Sequence, residues 1–337
     1  MESDRRGAML RVMKHVHRFS RVCAVALLAA LSPLAWGRAR VVAYVPNWVE
    51  LTTFAGTIEY AKLTHINIAF ENPVNDDGEL SFNKKNPILI EKARAAGVKV
   101  LVSIGGGSAA TDEKLKARYF KLIAAERRAG FVAKLVEYVV KNNFDGLDVD
   151  IEGPSINKDY GAFVTELAKA MHAKGKLLTA ALSKGYGGKT VPDSALAAFD
   201  FVNIMAYDAT GHWDPKTPGQ HSSLAYAKES VGYWVGRGLA KDRAVLGVPF
   251  YGYGFGDAYR KRDYPYAAIV EKYPGAEKVD QVGSTIWYNG IPTIKAKAKY
   301  VLDEGLGGVM IWSLDTDVKG ERSLLGAIDE VLGTKGE

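Results

Sequence analysis

Three carboxylates at every second position, Asp148, Asp150 and Glu152, close the stretch Phe144-Asp-Gly-Leu-Asp-Val-Asp-Ile-Glu152, with Leu147, Val149 and Ile151 alternating between them. That alternation is the two-residue period of a β-strand, one face apolar and the other acid. At about 3.3 Å per residue, neighbouring carboxylates on the acid face stand roughly 7 Å apart, near enough to perturb each other's ionisation. Like charges crowded on one buried face keep a proton on one of them, and a carboxyl still protonated near neutral pH can act as a general acid. A solvated strand face would instead carry Thr, Lys or mixed charge, because like charges on neighbouring positions destabilise a sheet. Binding of a divalent cation is the other chemistry that clustered carboxylates serve, and the motif by itself leaves both open.

A strand of this kind needs a scaffold that presents its far end to a cleft. Apolar runs at 41–44, 65–70, 99–104, 146–152, 177–183, 201–207, 245–250 and 308–314 read as strands, and they alternate with helical spacing at 86–96, 130–141, 160–173, 224–237 and 293–304. Strands alternating with helices predict a parallel sheet, and eight such pairs in a chain of 337 residues predict a (β/α)8 TIM barrel forming one domain over 40–337. Active sites of that fold sit at the carboxyl ends of the strands. Those ends gather Tyr44, Asn47 and Trp48, then Ser103 with the glycines Gly105 and Gly106, Glu152, Tyr207 and Asp208 with Trp213 beyond, Tyr251 and Tyr253, and Trp312. Taken singly, Tyr44, Tyr207 and Trp312 read as packed core aromatics and the glycines as a turn. Their convergence on one mouth argues for a site. The glycine run lacks the Gly-Lys-Ser/Thr of a phosphate loop, and the six histidines show no metal-ligand spacing such as His-Glu-x-x-His.

Charge narrows the partners. The chain carries a formal +6, but residues 1–39 hold seven basic against two acidic side chains, so the body is close to neutral and offers nucleic acid little attraction. Arg11, Lys14, Arg18 and Arg21 precede an apolar run from Val22 to Leu31, followed by small residues at Ala35, Gly37 and Ala39. This pattern predicts a secretory signal peptide over 1–39, cleaved after Gly37 or Ala39, and hence a secreted or periplasmic protein with no membrane attachment after cleavage; an uncleaved anchor is the alternative. The sole cysteine, Cys23, lies within it, which excludes disulfides and thiol catalysis from the mature chain.

The stretch Asp145-Gly-Leu-Asp-Val-Asp-Ile-Glu152 resembles the Asp-Gly-x-Asp-x-Asp-x-Glu signature of family 18 glycoside hydrolases, the chitinases and their relatives. The likeness continues through Val102-Ser-Ile-Gly-Gly106, Met205-Ala-Tyr-Asp208, Pro249-Phe-Tyr-Gly252 and Gly308-Val-Met-Ile-Trp-Ser313, and covers about residues 40–334. The resemblance implies retaining cleavage of β-1,4-linked N-acetylglucosamine, as in chitin or its oligosaccharides, with the sugar's own 2-acetamido group as nucleophile and no cofactor or metal. It implies Glu152 as acid and then base, Asp150 as partner of the acetamide N–H, Asp148 as a carboxyl sharing a proton with Asp150, and Tyr207 as donor to the acetamide oxygen. Trp312 would be the floor beneath the sugar, with Tyr44, Asp208, Trp213 and Tyr251 lining the subsites and Ser103 supporting Asp148. Asp145, Gly146, Gly105 and Gly106 would be structural members of the motifs. An endo-β-N-acetylglucosaminidase acting on glycoprotein glycans uses the same signature, and a chitin-binding protein without turnover shares the barrel. Glu152 is followed by Gly153-Pro154, and the insertion between strands seven and eight is short, about 253–292, which suggests an open groove and endo cleavage by a monomer.

Overall fold

The computed structural model describes residues 39–333. The expected signal segment lies, but for Ala39, outside the described residues. Eight parallel strands close into a barrel: β1 (Arg40–Pro46), β2 (His65–Ala69), β3 (Lys99–Gly105), β4 (Gly146–Asp150), β5 (Leu177–Leu182), β6 (Phe201–Ile204), β7 (Ala244–Pro249) and, after the four strands of an insertion, β12 (Gly308–Trp312), which pairs with both β1 and β7. Each strand lies beside its sequence neighbour, and helices fill the crossovers. This is the (β/α)8 barrel that the alternating pattern predicts. Among the described residues no helix is long and apolar enough to cross a membrane.

The strands are buried on both faces, and two apolar layers result. Leu147, Val149 and Ile151 point outward with Val100, Val102 and Leu178 into the shell between strands and helices, where Phe131, Phe144, Tyr160 and Phe163 pack. The barrel lumen holds a separate cluster of Val42, Tyr44, Phe201, Tyr207, Val245 and Met310. Alternation therefore sends the apolar residues of β4 to the shell and its carboxylates to the lumen. In register, Asp148 stands between Ser103 on β3 and Thr179 on β5.

The insertion between β7 and β12 is a small antiparallel sheet rather than a loop. Its strands are β8 (Tyr251–Gly254), β9 (Tyr264–Pro265), β10 (Gln281–Val282) and β11 (Ile286–Trp287), in the order β10-β11-β8-β9, with a helix at Tyr266–Lys272. It begins directly after Pro249 and Phe250, earlier than the sequence reading of 253–292, because Tyr251 and Tyr253 leave the barrel ladder to pair with Pro265 and Trp287. β6 is also shorter than the 201–207 run suggests. Met205 still donates to the Leu182 carbonyl at 3.0 Å, after which Tyr207 and Asp208 turn away from the ladder.

Candidate active site

Asp145 and Glu152 mark opposite ends of the β4 segment. Asp145 precedes the strand and accepts from the Val100 amide at 2.8 Å and from Arg94 Nη2 at 2.9 Å, which ties the start of β4 to β3 and the helix Asn86–Ala95. Gly146 follows, and a Cβ there would stand 2.5 Å from the Leu177 carbonyl oxygen, so the strands approach too closely for a side chain.

Inside the lumen Asp148 is fully buried and fully engaged. Its carboxylate accepts from Tyr44 Oη at 2.6 Å, Ser103 Oγ at 2.7 Å, Thr179 Oγ1 at 2.6 Å and Asn203 Nδ2 at 3.3 Å. Burial raises its pKa, and the four donors work against that rise by stabilising the charge. Tyr44 is itself buried, with its hydroxyl on Asp148 and its ring 5.4 Å from that of Trp312.

One turn of the pleat further, Asp150 is in the opposite situation. It is 4% exposed, and its Oδ1 is buried without a hydrogen-bond partner among the described residues. Burial first, and then the charges of Glu152 and Asp148, push its carboxyl well above the usual range. Such an environment favours the neutral form of the carboxyl, and the group has an oxygen to spare for a ligand.

Glu152 lies just beyond the end of β4, half-buried. Burial and the negative charge of Asp208 push its carboxyl up to about 7. Asp208 comes from the end of β6 and has a left-handed backbone, φ 62°, a conformation that Asp tolerates better than most residues. Its carboxylate accepts from Tyr251 Oη at 2.6 Å and Tyr253 Oη at 3.0 Å, both on β8, and its amide donates to His221 Nδ1 at 3.4 Å. Tyr207 is buried next to it. Among the described residues its hydroxyl meets only the Met310 sulfur, at 3.9 Å, and burial, then the charges of Asp150, Asp208 and Glu152, raise its pKa. A weakly bound donor facing three carboxyls is free to engage a polar group of a ligand.

Trp312, at the end of β12, forms an apolar surface with Tyr44 and with Phe70, whose ring stacks on it at 5.8 Å. Two further tryptophans stand out at the rim, Trp48 at 64% exposed and Trp213 at 54%. They follow β1 and β6. Trp48 leans on Phe70 at 6.4 Å and Trp213 on Tyr253 at 5.4 Å. The glycines after β3 permit a close approach to β4: at Gly105, φ 105°, a Cβ would stand 2.2 Å from the Asp150 carbonyl oxygen, which accepts the Gly106 amide at 2.7 Å. At Gly106, φ 70°, a Cβ would collide with the Phe70 ring at 2.4 Å.

The site therefore combines an acid poised near neutrality, a carboxyl with an unpartnered oxygen, a free phenol and a flat aromatic surface, at the carboxyl ends of barrel strands. The sequence profile of Glycosyl hydrolases family 18 matches residues 40–317. The chain belongs to that family. It is 28% identical to Chitotriosidase-1 of Mus musculus, across 84% of this chain and 74% of that one. It is equally 28% identical to Probable chitinase 10 of Drosophila melanogaster over 82% of its own length, although it spans only 15% of that much longer relative. The GH18 chitinase ChiB from the chitin utilization locus of Flavobacterium johnsoniae has the same architecture, with a TM-score of 0.81 and 37% identity across 88% of this chain and 94% of that one. The chain is thus a glycoside hydrolase of chitinase or chitinase-like kind.

For a family 18 barrel, several residues that position the site were not singled out from sequence. Thr179 and Asn203 complete the donors around Asp148. Asn72 grips the glycine turn from both sides, donating to the Gly105 carbonyl at 3.0 Å and accepting its amide at 2.7 Å. Buried Glu71 accepts from Asn47, Ser81 and Asn86 side chains and from the Asn83 amide, fixing the loops on either side of Phe70. His221 is fully buried against Tyr251 and Tyr253, with ring centroids 5.1 and 5.0 Å apart. The parity of Thr179 and Asn203, single polar residues in apolar strands, is a readable signal for a polar layer in the lumen. His221 lies in a loop and gives none.

Proposed function

We propose that the chain is a secreted chitinase that hydrolyses β-1,4 bonds after N-acetylglucosamine with retention of configuration, the substrate's own 2-acetamido group acting as nucleophile. Protonated Glu152 gives its proton to the glycosidic oxygen as the bond from that oxygen to C1 breaks, and the acetamide oxygen closes on C1 to form an oxazolinium ring. Glu152, now a carboxylate, takes a proton from the water that attacks C1 and opens the ring, which restores the acid. Asp150 meets the acetamide N–H and lies near the developing positive charge, where a fixed negative or polarisable group lowers the barrier. Tyr207 donates to the acetamide oxygen and holds it beneath C1. Trp312 offers its face to the C–H side of the ring. Asp148, held by Tyr44, Ser103, Thr179 and Asn203, sets the ionisation of Asp150, so the buried pair titrates as a unit.

The observation that carries this reading is the Glu152 carboxyl, raised to about 7 at the strand end beside the unpartnered oxygen of Asp150. Exposed Trp48 and Trp213 after β1 and β6 support binding of several sugars along a groove open at both ends, and so cleavage within chains. The basic and apolar pattern of residues 11–39 supports export, and the amino terminus of the secreted protein is expected at Arg38 or Arg40. An N-acetylglucosamine hexamer tests the rest: mass analysis should give a spread of shorter oligomers, and proton NMR of the first products should show the β-anomer. First products in the α-form, or release of glycoprotein glycans with the hexamer left intact, would overturn the reading.

A further inference from the structure

Beside the connection that follows β6, one lysine is fully buried among the described residues. Lys297, on the helix Ile291–Glu304, is fully buried. Its Nζ lies 2.7 Å from the Ser222 carbonyl oxygen, 2.6 Å from Ser222 Oγ and 2.7 Å from Asn289 Oδ1. In the protonated form, three protons thus meet three acceptors. The Ser222 hydroxyl, accepting from Lys297, has its own proton free to donate to the Ala206 carbonyl at 2.7 Å. Ala206 immediately precedes Tyr207 and Asp208. On the other side of Ser222, the His221 ring accepts the Asp208 amide at Nδ1 and turns Nε2 to the Tyr251 carbonyl at 3.3 Å, while the His221 carbonyl accepts the Ala209 amide at 3.0 Å. Residues 206–209 are therefore stitched to 221–222, and the stitch is anchored on Lys297.

The two neighbouring lysines of the same helix do different work. Lys295 pairs with Glu330 and Lys299 with Asp303 at the surface. Lys228, on the packed helix Leu224–Gly236, lies over the Tyr300 ring, and Glu277 lies near Lys278. Burial lowers the Lys297 pKa to about 7, against which the Asp280 charge works; Asp280 is otherwise held by Thr293 Oγ1 and the Gly290 amide. No carboxylate contacts Lys297 Nζ among the described residues, so in the protonated form its protons go to Ser222 and Asn289 alone. A buried lysine with neutral acceptors alone is costly unless the geometry it fixes is needed.

We propose that Lys297 is a positioning residue for the glycosidase site: through Ser222 and His221 it fixes the left-handed turn at Asp208, and so the distance of the Asp208 charge from Glu152. Loss of the ammonium loosens that turn, Asp208 relaxes away, and Glu152 loses the neighbouring charge that favours its neutral form. The groups facing Glu152 are Asp208 and Tyr207 from the loop after β6, Asp150 from β4, and Tyr186 from the loop after β5. The inference deepens the reading of Glu152 as the acid and rests on it only for the activity measurements.

The test is a carboxyl NMR titration of Glu152 in the full chain, its signal assigned by loss in Glu152→Gln, in the wild type, Lys297→Met and Ser222→Ala. The wild type should titrate near 7. Both variants should titrate lower by roughly half a unit, and the double variant no lower than Lys297→Met alone, since the two side chains act in series. The alkaline limb of kcat/KM should move down with the NMR midpoint, and kcat should fall about tenfold with KM little changed. A midpoint that stays put while the melting temperature drops would reduce Lys297 to a structural role, and a midpoint that rises would mean it acts only as a remote positive charge; either result overturns the proposal. If Lys297→Met fails to fold, the Ser222→Ala midpoint alone decides. Shifted midpoints in a protein that cleaves no N-acetylglucosamine oligomer would uphold the positioning role and overturn the proposed function instead.

Discussion

Replacing Tyr44 by Phe removes one oxygen from the barrel lumen and nothing else. That oxygen donates to Asp148 at 2.6 Å and accepts from Asn203 at 3.3 Å, in a region without solvent. A hydrogen bond to a buried charge contributes about 1.5–3 kcal/mol, which on the same carboxylate corresponds to roughly one to two pKa units. The direction follows from the balance at Asp148, where burial already raises the folded-state pKa and the four donors oppose it. Losing one donor raises it further. The folded variant then takes up a proton at higher pH than the wild type does. Its loss of stability is therefore largest where Asp148 is charged in both proteins and shrinks as pH falls and both become neutral. In activity, the acid limb of kcat should move to higher pH by about one unit, because a protonated Asp148 no longer supports the proton on Asp150. Denaturant unfolding at pH 8 and at pH 4, together with kcat across that range, measures both effects. An unmoved acid limb with equal stability loss at the two pH values would refute the claim that the Tyr44 hydroxyl stabilises a charged Asp148.

Asp208→Asn removes the charge that, after burial, holds Glu152 near 7, so the alkaline limb of kcat/KM should move to lower pH by roughly half to one unit, and an unmoved limb would contradict the cause assigned to that shift. Gly105→Ala should cost about 3 kcal/mol or more, because the site demands φ 105° and a Cβ there would overlap the Asp150 carbonyl; a melting temperature within a degree of wild type would show that β3 and β4 can part at that point. Chelation with EDTA should leave the rate unchanged, because the Asp148 oxygens already accept from four protein donors and are not available to a hard cation; activity lost to EDTA and restored by a divalent ion would reverse this.

Much of the barrel was legible because its strands are buried on both faces and so read as short apolar runs, and because parity alone sends Asp148 and Asp150 one way and Val149 the other. Where the ladder stops was not legible. The run 201–207 looks like one strand, yet Tyr207 and Asp208 leave it, since Asp208 takes a left-handed turn whose amide donates to His221, thirteen residues on in the same loop. The insertion strands are two to four residues long and carry no periodicity to read. Tyr44 could be placed at the mouth from its strand, but only the fold shows its hydroxyl spent on Asp148 rather than facing a ligand. Lys297 is the sharpest case: Lys295, Lys297 and Lys299 alternate identically in sequence, and the packing of one helix against the barrel buries only the middle one.

The proposed cleavage turns on a single proton carried by Glu152. Glu152→Gln keeps the shape of that side chain and removes the proton transfer, so the variant should bind an N-acetylglucosamine hexamer by calorimetry about as well as the wild type while its kcat falls by roughly 10²- to 10⁴-fold. Hydrolysis of the hexamer by that variant at a near wild-type rate would contradict the mechanism outright.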